Sequence, residues 1–135
     1  MDNSIRYLNT DLDLRSTVDL GPLVFDLKAA RKVGYLPTRG NGGGWWASLS
    51  MEKLDEPEKN IANMLSVIES LPAESRNIWD ACFLREFNIG YVCKGEPWSF
   101  SQGLSAALIG RIAAVGASLR ITLYPEPDEL YEIPF

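Results

Sequence analysis

The sequence predicts an α+β fold, with a mainly antiparallel sheet of about five strands and two to four helices packed on one face. Stretches in which apolar and polar residues alternate are typical of half-buried strands, and they are interspersed with stretches of helical apolar spacing. At 135 residues, 46% of them hydrophobic, the chain is long enough for one core and too short for two ordinary domains. We therefore expect a single domain over residues 1–135, in which 125–135 form an acidic tail.

The first strand is expected between Ser4 and Leu14, and its apolar face shifts near the middle, as at a β-bulge. Asp11 and Asp13 fall together on the face opposite the later leucines. Such a pair is most simply the solvated side of an edge strand. Two carboxylates at this spacing can also bind a divalent cation or share a proton.

A short helix should open at Ser16 or Thr17, and a second strand is expected near residues 33–36. The glycine-rich segment RGNGGG follows at 39–44. It lacks the GK[ST] sequence of a phosphate-binding loop and precedes a strand-like run instead of a helix. We therefore interpret it as a turn.

Three tryptophans are candidates for contact with a ligand or partner. Trp45 and Trp46 begin the third strand, 45–51, and adjacent strand residues point to opposite faces. One indole can enter the core, whereas the other must be covered or exposed. Trp98 and Phe100 lie in a loop bounded by Gly and Pro, where they either plug the sheet edge or form a recognition tip.

An acidic connection leads into the longest amphipathic helix, which a proline separates from a further helix. The most strand-like run, FLREFNIGYVC, follows at 83–93, and its aromatic residues should face the helices. Glu86 and Asn88 would project from the other face. If a neighbouring strand brings Asp11 or Asp13 alongside, that face would carry several carboxylates and an amide, a set that could bind a cation or a sugar.

The last predicted unit is a helix that turns directly into a strand. Ser105 is a plausible N-cap, and apolar residues recur at helical spacing up to Val115. Gly116 stands where a left-handed residue is expected at the end of the helix. From 119 to 123 the spacing changes to strict alternation, which predicts a half-buried strand.

Several functional classes are disfavoured by what the chain lacks. It contains no histidine, and Cys82 and Cys93 show no CxxC spacing, so we assign no catalytic residue, metal site or cofactor. The net charge is −5 with no basic stripe, which argues against nucleic-acid binding. No apolar run approaches the roughly 20 residues of a membrane span, and no secretory signal is visible, so we expect a cytoplasmic location.

Three sequence segments together resemble a known group of proteins. TDLDL lies in the first strand, FNIGY in the strand after the central helices, and LSAALIGRIAAVGASLRITLYP in the final helix and strand. The pattern looks like small bacterial α+β proteins of unknown function that are compared with immunity proteins of contact-dependent or polymorphic toxin systems. The likeness is clearest over residues 84–124. It implies this fold and a non-enzymatic binding role, and it implies no catalytic residues.

Three hypotheses for function follow. The leading one is a protein-binding, immunity-like domain that attracts a basic partner through acidic residues and anchors it by an exposed aromatic; the acids are Glu52, Asp55, Glu56 and Glu58. The second is a small-ligand or regulatory domain with a pocket between the glycine-rich turn and the Trp98 loop. The third is an enzyme that uses Asp11, Asp13 and Glu86 as acid, base or metal ligands.

The candidate binding residues are Trp45, Trp46, Trp98, Glu86, Asn88, Asp11 and Asp13. A homodimer through the edge of the first strand is also compatible with the sequence.

Overall fold

The computed structural model describes residues 3–30, 34–35, 38–39, 44–51 and 56–126. The elements in these ranges are β1 (Ser4–Ser16), α1 (Gly21–Ala30), β2 (Gly34–Tyr35), β3 (Thr38–Arg39), β4 (Trp45–Ser50), α2 (Pro57–Glu69), α3 (Ala73–Ala81), β5 (Leu84–Lys94), α4 (Ala106–Ala114) and β6 (Ser118–Pro125). The α+β class is as predicted. The predicted count of about five strands is slightly off, because the sheet has four longer strands and two, β2 and β3, of only two residues.

The strands form a mixed sheet in the order β2-β4-β1-β5-β6, and β3 also pairs with β4. Among the described residues the pairings are antiparallel, except that β5 and β6 run parallel. β1 lies at the centre, with Ser16 opposite Trp45 on β4 and Ser4 opposite Lys94 on β5. The interpretation of β1 as an edge strand is therefore wrong. The alternation of apolar and polar residues in β1 shows only that one face of the strand is solvated. An inner strand of an antiparallel sheet has the same pattern as an edge strand.

The shift of apolar face predicted within β1 is a β-bulge. The register with β5 slips between Tyr7 and Asn9, which leaves Leu8 as the extra residue. Beyond the bulge Leu12 is fully buried, whereas Asp13 on the other face is only partly covered. The bulge therefore lets both halves of one long strand direct apolar residues to the same core.

The core lies between one face of the sheet and the helices. Buried residues of β1, β4 and β5 share this face with the apolar stripes of all four helices, as the helical spacing predicted. The core includes Leu12, Leu14, Leu49, Phe87 and Ile89 from the strands and Leu23, Leu27, Ile61, Met64, Leu65, Ile68, Trp79, Leu108 and Ile112 from the helices. The opposite face of the sheet carries mainly polar residues, together with Trp46.

The first helix starts later than predicted. Instead of opening at Ser16 or Thr17, α1 begins at Gly21. The Ser16 hydroxyl accepts a hydrogen bond from the backbone N–H of Val18 at 3.0 Å, and the Asp19 carboxylate accepts one from that of Gly21 at 2.7 Å. These local bonds from side chain to backbone hold the segment as a turn before the helix.

The final helix and strand are capped as predicted. The Ser105 hydroxyl accepts a hydrogen bond from the backbone N–H of Leu108 at 3.2 Å, and Gly116 has a φ of +74°. The crossover through α4 brings β6 alongside β5 in parallel, because a strand that returns by a helix starts from the same end of the sheet. β6 forms the edge of the sheet.

Arg85 joins the start of β5 to two other segments. Its Nη1 donates hydrogen bonds to the backbone carbonyls of Trp79, Asp80 and Cys82, at 3.0, 3.2 and 2.9 Å, where α3 ends. Its Nε donates to the carbonyl of Gly116 at 2.8 Å, in the turn that leads into β6. One guanidinium thus adds hydrogen bonds to carbonyls at the end of a helix, where the regular intrahelical donors run out.

Some expectations fall outside the described residues. These are the glycine turn at 40–43, the acidic connection at 52–55 and the tail at 127–135. Within the described ranges, none of the helices has the length and apolar character required to span a bilayer.

Candidate functional site

The sheet face away from the helices holds five of the seven residues predicted as a site: Asp11, Asp13, Glu86, Asn88 and Trp46. Asp11 and Asp13 lie on β1, and they stand opposite Asn88 and Glu86 of β5, respectively. Directly opposed residues on one face of an antiparallel pair have Cβ atoms about 5 Å apart. The sequence could not say whether these carboxylates and the amide lie on neighbouring strands, and the strand order of the structure shows that they do. We call this surface, formed by outward-facing residues of β1, β4, β5 and β6, the polar face.

The two aspartates are held by neutral groups of neighbouring residues. Asp13 Oδ1 accepts a hydrogen bond from the Ser48 hydroxyl at 2.7 Å. Asp11 Oδ1 accepts from the Ser50 hydroxyl at 2.9 Å and from the Asn9 amide at 3.1 Å. These bonds orient both carboxylates without neutralising them.

Glu86 is largely covered on the polar face, with 12% of its side chain accessible. Its Oε1 accepts a hydrogen bond from Arg120 Nε at 2.7 Å, and its Oε2 lies 3.5 Å from the Ser118 hydroxyl. Beside it, the Thr122 hydroxyl donates to Asn88 Oδ1 at 2.8 Å. Side chains of β6 thus set the positions of both β5 residues, while Arg120 itself stays 61% exposed.

Burial raises the pKa of both aspartates above the ordinary value of 3.8. For Asp13 the hydrogen bond from Ser48 opposes this effect, the charge of Glu86 adds to it, and two nearby arginines lower the pKa. For Asp11 the hydrogen bond from Ser50 opposes the effect of burial, and the charge of Asp13 adds to it. The ionised forms of both aspartates are therefore disfavoured on the polar face relative to free solution.

A groove of about 590 Å³ runs over this face. Its volume lies within the roughly 300–1,000 Å³ of small-molecule sites. Trp46, with 36% of its surface exposed, forms part of its wall. The lining includes Asp13, Trp46, Ser48, Glu86, Asn88 and Arg120.

The three candidate tryptophans lie in different places. Trp45 packs against the core and Trp46 lies on the polar face, as expected for neighbours on a strand. Trp98 is 99% exposed in the loop after β5. Trp45 is at the Ser16 end of β1 and the Trp98 loop follows the Ser4 end, roughly 40 Å away at about 3.3 Å per residue. The glycine turn lies outside the described residues, so the pocket expected between it and the Trp98 loop stays a prediction.

The acids expected to attract a partner are only partly described. Glu52 and Asp55 lie outside the described residues. Glu56 is exposed at the N-cap of α2, whereas Glu58 accepts a hydrogen bond from the backbone N–H of Ser105 at 2.7 Å. Glu58 therefore has a structural role in joining α2 to the start of α4.

Metal coordination was one of the chemistries expected of the polar face. Within the part of the chain that the structure describes, no group of three or more His, Cys, Asp or Glu side chains is placed to hold a metal ion. The enzyme hypothesis based on Asp11, Asp13 and Glu86 stays a prediction, which substitution of the two aspartates by asparagine can test.

The sequence did not single out Ser48, Ser50 or Arg120 as members of the site. Their alternation with buried neighbours was visible, since Ser48 and Ser50 flank Leu49 and Arg120 precedes Ile121. The missing information was the strand order, which brings β4 and β6 next to β1 and β5.

Comparison with known proteins gives no relative. No protein-family model matches the chain, no curated protein matches its sequence, and no solved structure matches its fold. The resemblance to immunity proteins stays a prediction from the sequence.

Proposed function

We propose that this protein is a non-enzymatic, immunity-like binding protein whose polar face receives basic side chains of a partner protein. One observation carries the proposal: Asp11, Asp13 and Glu86 lie side by side on a sheet face that no described helix covers. Like charges directly opposite each other on a sheet destabilise it. A binding role would explain why these three carboxylates lie next to one another despite their mutual repulsion.

The electrostatics of the polar face favour a cationic ligand group. Asp13 and Glu86 repel each other, and Arg120 forms an ion pair with Glu86, whereas the hydrogen bonds to Asp13 and Asp11 come from neutral donors. Arg15 and Arg120 already act on Asp13 from a distance, and a lysine or arginine of the partner would add a cationic donor in direct contact with the two aspartates. A charge-assisted hydrogen bond to a carboxylate contributes about 1.5–3 kcal/mol where it is partly desolvated.

The shape of the groove favours arginine over lysine. Trp46 is exposed in the groove wall on the same face as Asp13. A guanidinium can bind a carboxylate with two parallel bonds while its plane stacks on an indole, and an ammonium group can do neither as well. We therefore expect the partner to present arginine at the centre of its contact surface.

Long-range charge supports the same kind of partner. The net charge of −5 attracts basic proteins and raises their association rate at low ionic strength. In this form of the proposal the contact surface is the polar face. The segment 52–58, which the sequence suggested, would contribute only to long-range attraction.

A titration with an arginine-rich probe tests the proposal. A capped tri-arginine peptide is added to the ¹⁵N-labelled protein and amide shifts are followed by NMR. We expect the largest shifts around Asp11, Asp13, Ser48 and Glu86, and weaker binding at high salt. The double variant Asp11→Asn, Asp13→Asn should bind the peptide at least about tenfold more weakly, the equivalent of about 1.4 kcal/mol.

The matched control is the double variant Glu56→Gln, Glu74→Gln. It removes the same net charge from exposed acids on α2 and α3 and leaves the polar face intact. It should retain most of the affinity. Equal weakening in both double variants would show that only net charge matters, and an absence of shifts on the polar face would overturn the proposal.

A second candidate function is the binding of a small polar molecule, and the volume of the groove favours it. A metabolite screen that follows the melting temperature and tryptophan fluorescence tests this candidate. A compound whose stabilisation is lost on Trp46→Ala and retained on Trp98→Ala would support a small ligand in the groove. Stabilisation that depends on Trp98 alone would place the ligand elsewhere.

A further inference from the structure

β6 is an edge strand with an open apolar stripe. Leu119, Ile121 and Leu123 are 40%, 43% and 46% exposed, although they share the helix-side face with buried Phe87 and Ile89 of β5. Among the described residues, β5 is the one strand that pairs with β6. With respect to the described residues, the outer edge of β6 from Leu119 to Leu123 and its apolar side chains are thus available for a contact.

The features that usually protect an edge strand are sparse here. Natural edges carry lysine, inward-pointing charges, bulges or proline, which prevent pairing with another chain. The charged residue of β6 is Arg120, which lies on the polar face and is paired with Glu86. The proline, Pro125, comes at the very end of the strand. Nothing in the body of the strand opposes the addition of another strand.

The stripe is symmetric about its middle residue. An isologous contact requires a surface that complements a copy of itself. In an antiparallel pair centred on Ile121, Leu119 lies opposite Leu123 of the second copy, and Ile121 lies opposite its own counterpart. On the other face Arg120 lies opposite Thr122, so no like charges meet. We propose that β6 pairs with β6 of a second copy of this chain around a two-fold axis at Ile121.

This homodimer would join the two sheets into one. The axis is perpendicular to the sheet, so both polar faces lie on the same side and meet at Arg120 and Thr122 of each copy. A strand of eight residues makes a small interface, below about 1,200 Å². We therefore expect reversible association, with a dissociation constant on the order of micromolar.

The molar mass as a function of concentration is the first test. Light scattering or sedimentation should show a rise from the monomer mass of 15.0 kDa towards twice that value between micromolar and millimolar protein. Ile121→Lys places two like charges on the axis and should keep the protein monomeric. Phe25→Lys is the matched control, because Phe25 is 72% exposed on α1, and this variant should still dimerise.

Cysteine crosslinking tests the register. In a Cys93→Ser background, Ile121→Cys should form a disulfide-linked dimer on mild oxidation, because opposed residues of an antiparallel pair are within bridging distance. Leu119→Cys should not, since its own counterpart lies several residues away. Cys82 is buried and its thiol has a pKa raised to about 11, so it stays unreactive and need not be replaced.

Three results would overturn the inference. They are a monomer at every concentration, a dimer that persists in the Ile121→Lys variant, and dimerisation only after removal of residues 127–135. The last would show that the tail, and not a second copy, occupies the stripe. Peptide binding to the polar face is a separate measurement, so failure of the dimer and failure of the proposed function are distinguishable.

Discussion

Replacing Arg85 by alanine should destabilise the protein substantially more than replacing Arg76, the arginine on the neighbouring helix α3. The Arg85 guanidinium donates to carbonyls at the end of α3 and to Gly116 before β6. Removing it leaves the carbonyls of Asp80, Cys82 and Gly116 without this donor, and leaves that of Trp79 with the backbone N–H of Cys82. The effect should extend to β6, since the turn at Gly116 fixes where that strand begins.

The magnitude follows from the two bonds that are partly buried, those to Trp79 and Cys82. A hydrogen bond from a charged group contributes about 1.5–3 kcal/mol, and water compensates the exposed ones. We therefore expect a loss of about 3 kcal/mol in the free energy of unfolding. For a chain of this length that corresponds to a fall in melting temperature of about 10 °C.

Urea denaturation and thermal melts of three variants provide the assay. Arg76→Ala is the control, because Arg76 forms an exposed i,i+4 ion pair with Asp80 at 3.1 Å, which contributes about 0.5 kcal/mol or less. Arg85→Lys should fall between the two, since an ammonium group cannot reach both segments. If Arg85→Ala costs no more than Arg76→Ala, the role assigned to the guanidinium is wrong.

Further predictions concern the polar face and two glycines. The raised pKa of Asp13 means that the stability of the wild-type protein falls as pH rises through the pKa of the folded state, because the fold disfavours the ionised carboxylate. Asp13→Asn lacks this titration, so it should gain stability relative to wild type between pH 3.8 and neutral pH. Denaturation across that range checks it, and a pH-independent difference would contradict it. Gly116→Ala should cost about 1–2 kcal/mol in the same denaturation assay, since φ is +74° and a Cβ would lie 2.9 Å from Arg85 Nη2. Gly110→Ala, in the middle of α4 with open space around it, should instead stabilise by about 0.5–1 kcal/mol.

Periodicity in the sequence was sufficient to predict most helices and strands and the faces they bury. The cap at Ser105, the glycine at 116 and the bulge in β1 all follow from local residue chemistry. The same alternation predicted which side of β1 and β5 carries Asp13 and Glu86. These features depend on neighbours within a few positions, and so the sequence alone contains them.

Strand order could not be predicted in the same way. The alternation in β1 is equally compatible with an edge and with the centre of the sheet, and only tertiary packing decides between them. For the same reason Arg120 was not expected beside Glu86, nor Glu58 beside the backbone of Ser105. The candidate site could therefore be predicted as a face of the sheet, but its cationic and hydroxyl members could not.

The central position of β1 has a consequence for how the chain folds. During synthesis β1 leaves the ribosome before its β5 partner, which emerges much later, since Ser4 pairs with Lys94. Contacts between residues so distant in sequence are slow to form, because a long loop must close first. Until then an apolar strand is open along one edge, and the charges of Asp11 and Asp13 discourage its pairing with other nascent chains. The two aspartates of the proposed binding face would thus also protect the folding chain from aggregation.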